Sequence, residues 1–236
     1  MSAQAFRENH LLRALPAEEY ERVAGRAELV RLELSRVIFR PDEKVRHVYF
    51  PTTCVISLLT NLQDGAGMEV GLVGREGMAG ISAVLGGVET KVATVQAGGE
   101  AARLEASALR EEFQKGGALQ GLLLGYTHAL MTQISQSVVC NVRHALAGRL
   151  TRWLLMFRDR VDSDQFFLTH EFMANMLGVR RSGVSEVASR LQKMGFIRYQ
   201  RGHITILDRA GMEEFACECY PAVKEKFQEL IQQSAG

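Results

Sequence analysis

Residues 172–191 read FMANMLGVRRSGVSEVASRL, and the second half of that run is dense in short polar and cationic side chains. Val184, Val187, Ala188 and Leu191 stand at i, i+3, i+4 and i+7, the spacing of one buried helical face. Arg181, Ser182, Ser185, Glu186 and Ser189 then share the opposite side, with Arg180 just ahead of them. A helix that only covers a core usually shows Lys and Glu to water. These residue types suit recognition of a duplex. A guanidinium fork matches the acceptor edge of guanine, a carboxylate accepts from the cytosine amino group, and serine reaches bases or phosphates without blocking entry to a groove. The bland alternative is a solvated helix in a globular module.

The flanking residues say how such a helix would be held. Thr169 is a plausible N-cap for a first helix that turns Phe172, Met173, Met176 and Leu177 inward, and Gly178 suits the turn after it. Beyond Gly195, FIRYQ and HITIL flank the two-residue turn Arg201-Gly202, a β-hairpin signature. Two helices at a tight turn followed by a hairpin make a winged helix-turn-helix, in which Thr169, His170 and Arg201 would contact the nucleic-acid backbone. Charge agrees. Residues 169–207 hold six Lys or Arg against two Glu, a balance of 6 − 2 = +4, while residues 208–236 hold three basic and six acidic residues. The whole-chain charge of +1 therefore conceals a basic module.

With 236 residues, 47% hydrophobic and 23% charged, the chain has the size and composition of a globular protein of two ordinary domains. Charges interrupt the N-terminal run MSAQAFRENHLLRALP where a secretory signal would be apolar, and no run approaches the ~18 apolar residues of a membrane span, so a cytoplasmic protein is expected. Cys54, Cys140, Cys217 and Cys219 form no Cys-x-x-Cys pair and show no zinc-type His spacing. On a helix Cys217 and Cys219 would point about 200° apart, which suits a shared metal poorly. Reduced thiols, no metal and no cofactor are the expectation. No nucleophile elbow, phosphate loop or ligand triad marks an enzyme.

Upstream of the basic module, residues 5–25 read as helical, with Pro16-Ala17-Glu18-Glu19 as a helix start. Residues 29–105 break into short β-rich runs, LVRLEL, RVIFR, VRHVYFP, CVISLLT, MEVGLVG, VATVQA and AARLEA. The turns Pro41-Asp42, Asp64-Gly65, Gly86-Gly87 and Gly98-Gly99 punctuate them, as in a small antiparallel sandwich or roll. Residues 118–145 then form a long helix with Leu119, Leu123, Tyr126, Leu130, Ile134 and Val138 at steps of three and four. That stripe wants a partner, either the roll or the same helix of a second copy. It is read as the dimerisation face, with Gly121, Gly125 and Ala129 allowing close approach. NVRHALA, residues 141–147, lacks a strong stripe and reads as a hinge before the helix GRLTRWLLMFRDRV.

This α+β order of roll, long helix and winged helix, with the run LTHEFMANMLGVRRSGVSEVASRLQKMGFI, resembles the Crp/Fnr superfamily of bacterial transcription regulators. The resemblance covers nearly the whole chain. FRPDEKVRHVYFP resembles the opening of that family's sensor roll and NVRHALAGRL its junction between dimerisation helix and DNA-binding domain. It implies a sensor and dimerisation part over residues 1–145, a DNA-binding part over 146–236, and a homodimer on a two-fold symmetric double-stranded operator. RNA polymerase is a further candidate partner. Two departures stand out. Family members that bind cyclic nucleotides carry a Glu for the ribose and an Arg-Ser or Arg-Thr pair for the phosphate, and the matching stretch here places Gly80 and Lys91-Val92 there. Lysine lacks the bidentate fork and valine the hydroxyl, so any effector in that pocket is not expected to be cAMP. In the recognition helix, Ser182 and Glu186 stand where the family usually carries Glu and Arg. No cysteine precedes Cys54, which speaks against the family's N-terminal iron-sulfur chemistry, and His10, His47 and His128 stand as isolated histidines, a poor basis for haem. The competing reading is a degenerate sensor scaffold that acts through a protein partner without reading DNA.

Overall fold

The computed structural model describes residues 2–61 and 67–233, so the Asp64-Gly65 turn lies outside the described residues. Three short helices open the chain, α1 (Ser2–Phe6), α2 (His10–Arg13) and α3 (Ala17–Ala24). The single helical stretch expected over residues 5–25 is interrupted because Asn9 caps α2. Its Oδ1 accepts from the backbone of Leu11 and Leu12, while its buried Nδ2 donates to the carbonyls of Pro51 and Gly77 at 2.9 Å each. Pro16 precedes α3, as its fixed φ and missing N–H favour.

Seven strands follow among the described residues. They are β1 (Glu28–Leu32), β2 (Val37–Phe39), β3 (His47–Pro51), β4 (Val55–Asn61), β5 (Gly67–Val73) and, after the short helix α4 (Ser82–Leu85), β6 (Val92–Ala97) and β7 (Gly99–Glu105). Each falls within one of the β-rich runs, give or take a residue or two at its ends. They pair antiparallel into two sheets, β1-β7-β3 and β2-β6-β4-β5. Val48, Phe50, Ile56, Leu72, Val95 and Leu104 are buried in the core of this roll.

Helix α5 (Ala106–Gln114) leads through Gly116 and Gly117, both at positive φ, into the 27-residue helix α6 (Gly117–Arg143). His144 and Ala145 are extended and break the chain before α7 (Leu146–Val161), inside the expected hinge. Next come β8 (Gln165–Phe167), α8 (His170–Leu177), α9 (Arg181–Lys193), the hairpin β9 (Ile197–Gln200) and β10 (His203–Ile206), then α10 (Arg209–Phe215) and α11 (Cys219–Gln233). Strand β8 joins the hairpin to give the sheet β8-β10-β9, a strand that the sequence reading did not include.

The apolar stripe of α6 faces the protomer's own core, which corrects its assignment as a dimerisation face. Leu119, Leu123, Tyr126 and Leu130 are buried within the single chain, and Ile134 packs at its edge. Gln133 fastens this face to β5: its Oε1 accepts from Leu72 N at 2.6 Å and its Nε2 donates to Leu72 O. Of the small residues, Gly125 admits the chain's own C-terminal helix, while Gly121 faces open space. A Cβ on Gly125 would approach Leu230 of α11 to 2.6 Å, and Tyr126 meets Phe227 of α11 with ring centroids 6.3 Å apart. Of the six, Val138 alone is largely exposed, at 58%; it belongs to a different stripe with Leu124, Met131 and Val142.

Two buried links tie the roll to α7. Trp153 Nε1 donates to Glu69 on β5 at 2.7 Å, and Arg160 pairs with Glu76 at 2.7 Å. Among the described residues no helix is long and apolar enough to cross a membrane.

Candidate nucleic-acid interface

Thr169 Oγ1 accepts from Phe172 N at 3.1 Å and starts α8 as its N-cap. Gly178 ends the helix at φ 63°, a conformation costly for any residue with a Cβ. A second reason for glycine is spatial, since a Cβ there would run into the Met68 methyl group on β5. Arg180 is extended and precedes α9, whose Val184, Ala188 and Leu191 are buried. Arg180, Arg181, Ser182, Glu186, Ser189 and Arg201 are all exposed. Arg181 keeps 70% of its side chain in solvent, with Glu171 4.0 Å away. Arg201 and Gly202 both adopt positive φ, 50° and 86°, and close the β9–β10 turn at the tip of the wing. Arg190, Lys193 and Arg198 are exposed too, so every cation counted for the basic module reaches water.

Two of the expected contact residues are occupied inside the domain. His170 Nδ1 and Ser185 Oγ lie 2.8 Å apart, and Ser185 Oγ also donates to Arg181 O. The His170 ring stacks on Tyr199 of β9 at 4.1 Å. Burial and the nearby Arg181 guanidinium hold the His170 pKa below its ordinary value, so the ring is neutral near pH 7. It joins α8, α9 and the wing without adding a positive charge.

The stretch matched to a nucleotide pocket is closed. Gly80 sits at φ 96° with Phe39, Val45 and Val48 around its Cα, and even a Cβ there would meet them at 3.1–3.3 Å. Lys91 donates to the neighbouring Thr90 hydroxyl, and Val92 begins β6. The buried Glu89 carboxylate accepts from Ser82 Oγ at 2.9 Å and from the backbone N–H of Thr90 and Lys91. The chain's own carboxylate thus occupies these donors. Calorimetric titration with cAMP or cGMP is expected to give no saturable heat at millimolar ligand. Micromolar binding would show that Glu89 is displaced.

Outside the helix-turn-helix, four groups expected to stay apart come together. Cys140 and His144, at the end of α6, meet Cys217 and Cys219, at the start of α11. Their ligand-type atoms all lie within 4.8 Å of one another. The expectation that Cys217 and Cys219 diverge fails because Cys217 precedes α11 and only Cys219 is helical. A usable signal was the i, i+4 spacing of Cys140 and His144. The other half of the cluster is 73 residues further on and depends on α11 folding back along α6.

Comparison with known proteins agrees with this architecture. A family model described as the Crp-like helix-turn-helix domain matches residues 148–215. A comparison with curated proteins finds no match. Among solved structures, the chain is similar to FixK2 from Bradyrhizobium japonicum, with TM-score 0.70 and 16% identity over 81% of this chain and 98% of that one. It is similar to a CRP-family transcriptional regulator from Thermus thermophilus, with TM-score 0.65 and 21% identity over 79% and 96%. It is also similar to the c-di-GMP responsive global regulator CLP of Xanthomonas campestris, with TM-score 0.63 and 16% identity over 82% and 100%. The β-roll, the long helix and the C-terminal winged helix are the architecture that the chain shares with these structures. Residues 148–215 thus match a Crp-like helix-turn-helix domain, and the chain shares the fold of these solved structures.

Proposed function

We propose that this protein is a cytoplasmic, homodimeric transcription regulator that reads a two-fold symmetric DNA operator and catalyses no reaction. The observation that carries the reading is the exposed α9 face, with Arg180, Arg181, Ser182, Glu186 and Ser189 presented to solvent at the start and middle of a Crp-like recognition helix. Arg181 is the base-reading cation, and Ser182 and Glu186 discriminate. Thr169 and Arg201 hold the phosphate backbone, while His170 and Ser185 position the helix by their mutual bond. Residues 1–145 act as the sensing and dimerising part and residues 146–236 as the reading part. The dimer contact is the exposed stripe Leu124, Met131, Val138 and Val142 on α6, spaced seven, seven and four residues apart on the side away from the roll. The closed pocket around Gly80, Lys91 and Val92 argues for an effector other than a cyclic nucleotide.

Selection from a random DNA pool with the purified protein tests the reading. The expected product is a palindrome with half-site centres about 10 base pairs apart and a core altered by Ser182 and Glu186. Recovery of no enriched sequence would refute it. Arg181→Ala is expected to cost roughly 1–3 kcal/mol and to relax preference at one position of each half-site, whereas Arg201→Ala should weaken all sequences alike. Equal effects of both variants on every sequence would mean that α9 does not read bases.

A further inference from the structure

The junction of α6 and α11 carries donors that neither the fold nor DNA reading uses. We propose that Cys140, His144, Cys217 and Cys219 bind one tetrahedral, thiophilic divalent ion of the Zn²⁺ type. Three sulfurs and one imidazole nitrogen are a common structural donor set for such an ion. Bond lengths of ~2.3 Å to sulfur and ~2.0 Å to nitrogen require sulfur–sulfur edges of about 3.8 Å and sulfur–nitrogen edges of about 3.5 Å. The chain already supplies edges near these, with Cys140 Sγ to Cys217 Sγ at 3.5 Å and Cys219 Sγ to His144 Nδ1 at 3.5 Å. With every donor atom within 4.8 Å of the others, the four fit one ion better than a cluster that spreads its thiolates over several irons.

The surroundings are those of a metal site. His144 turns Nδ1 toward the sulfurs, and its other nitrogen, Nε2, lies 3.5 Å from the Glu218 carboxylate, the outer partner that orients a ligating imidazole. Gln136 Nε2 donates to Cys219 Sγ at 3.3 Å. Three thiolates, a neutral imidazole and a divalent ion leave one net negative charge, and the buried Arg149 and Arg152 are there to balance it. Neither makes a close ion pair among the described residues, though Arg152 also acts on Glu69, and the Nε atom of each lacks a hydrogen-bond partner. Cys217 and His144 remain part-exposed and leave a way in.

A bound ion would clamp the end of the long helix to the start of the last one across the His144-Ala145 break. Arg149, beside the cluster, donates to Leu177 O at 2.7 Å, the last residue of α8 before the recognition turn. The ion would therefore bias how the reading helices sit relative to α6, a consequence that rests on the DNA-binding reading; the metal site itself does not.

The test is titration of reduced full-length protein with Co²⁺, followed by Zn²⁺. One Co²⁺ per chain is expected, with thiolate charge-transfer absorption and the intense visible bands of a tetrahedral ion, displaced by one equivalent of Zn²⁺. Cys217→Ser should weaken Zn²⁺ binding more than about 100-fold and Glu218→Gln roughly 10-fold, both with unchanged far-ultraviolet circular dichroism. Weak octahedral absorption, equal affinity in Cys217→Ser and wild type, or a Cys140–Cys217 disulfide recovered in place of metal from anaerobically purified protein would each overturn the site. Operator affinity with and without Zn²⁺ tests the coupling separately. Normal metal binding without any DNA binding would sink the regulator reading and keep the site.

Discussion

Met131→Lys combined with Val138→Lys is expected to make the protein monomeric at low micromolar concentration and to cut its affinity for a two-half-site operator by roughly 10²–10⁴-fold. Met131 and Val138 are 62% and 58% exposed in the single chain, so lysine at either position costs the protomer little. In a helix pair the same positions face the partner seven residues apart, and four lysines would repel across the seam. The loss in DNA affinity follows because each half-site then binds without the effective concentration that the partner provides. Leu130→Lys makes a sharp contrast. Leu130 is only 7% exposed and packs near Gly71 of β5, so a buried ammonium there should unfold the protomer and leave no folded monomer. Sedimentation velocity and circular dichroism on the three proteins separate the cases. A folded dimer from Met131→Lys/Val138→Lys, or a folded monomer from Leu130→Lys, would return the interface to the inner stripe.

The error in reading that helix has a physical origin that also explains what else was legible. Periodicity finds the most apolar face of a helix but cannot say whether the protomer or a partner covers it. In α6 the stronger stripe, Leu119 to Leu130, was already claimed by β5 and α11, and the weaker one was left outside. Elements whose partners are near in sequence were readable. The hairpin at Arg201-Gly202 and the cap at Thr169 involve neighbours a few residues away, and each strand run of the roll carries its own turn signals. Features closed over long separations were not. Strand β8 pairs with β10 some forty residues on, and the cysteine cluster needs α11 to return along α6. On the candidate reading face the sequence separated α9 into packed and presented sides correctly, as the burial of Val184, Ala188 and Leu191 requires. It could not show that His170 and Ser185 would satisfy each other.

Glu69→Gln is expected to stabilise the protein above pH 7 by up to about 3 kcal/mol and to leave it nearly unchanged at about pH 4. Glu69 is buried between β5 and α7, and burial pushes its carboxyl up to about 7, against the help given to the anion by Ser57, Trp153, Arg152 and Arg160. The sign follows from proton binding. Between the unfolded value near 4.5 and the folded value near 7 the native state holds more protons than the unfolded chain, so stability falls as pH rises through that window. Below it the carboxyl is protonated in both states and no difference remains. Glutamine mimics the neutral acid, since its Oε1 can still accept from Trp153 Nε1 and its amide can donate to Ser57 Oγ. The effect has a place in the machine, because the Trp153–Glu69 bond at 2.7 Å links the roll to the first helix of the reading part. Denaturant unfolding of wild type and variant at about pH 4 and pH 8 isolates this group from every other titration, as only the difference between the two proteins is used. A difference that stays constant across pH, or that favours wild type at pH 8, would mean that folded Glu69 ionises well below pH 7, held by its cationic neighbours Arg152 and Arg160.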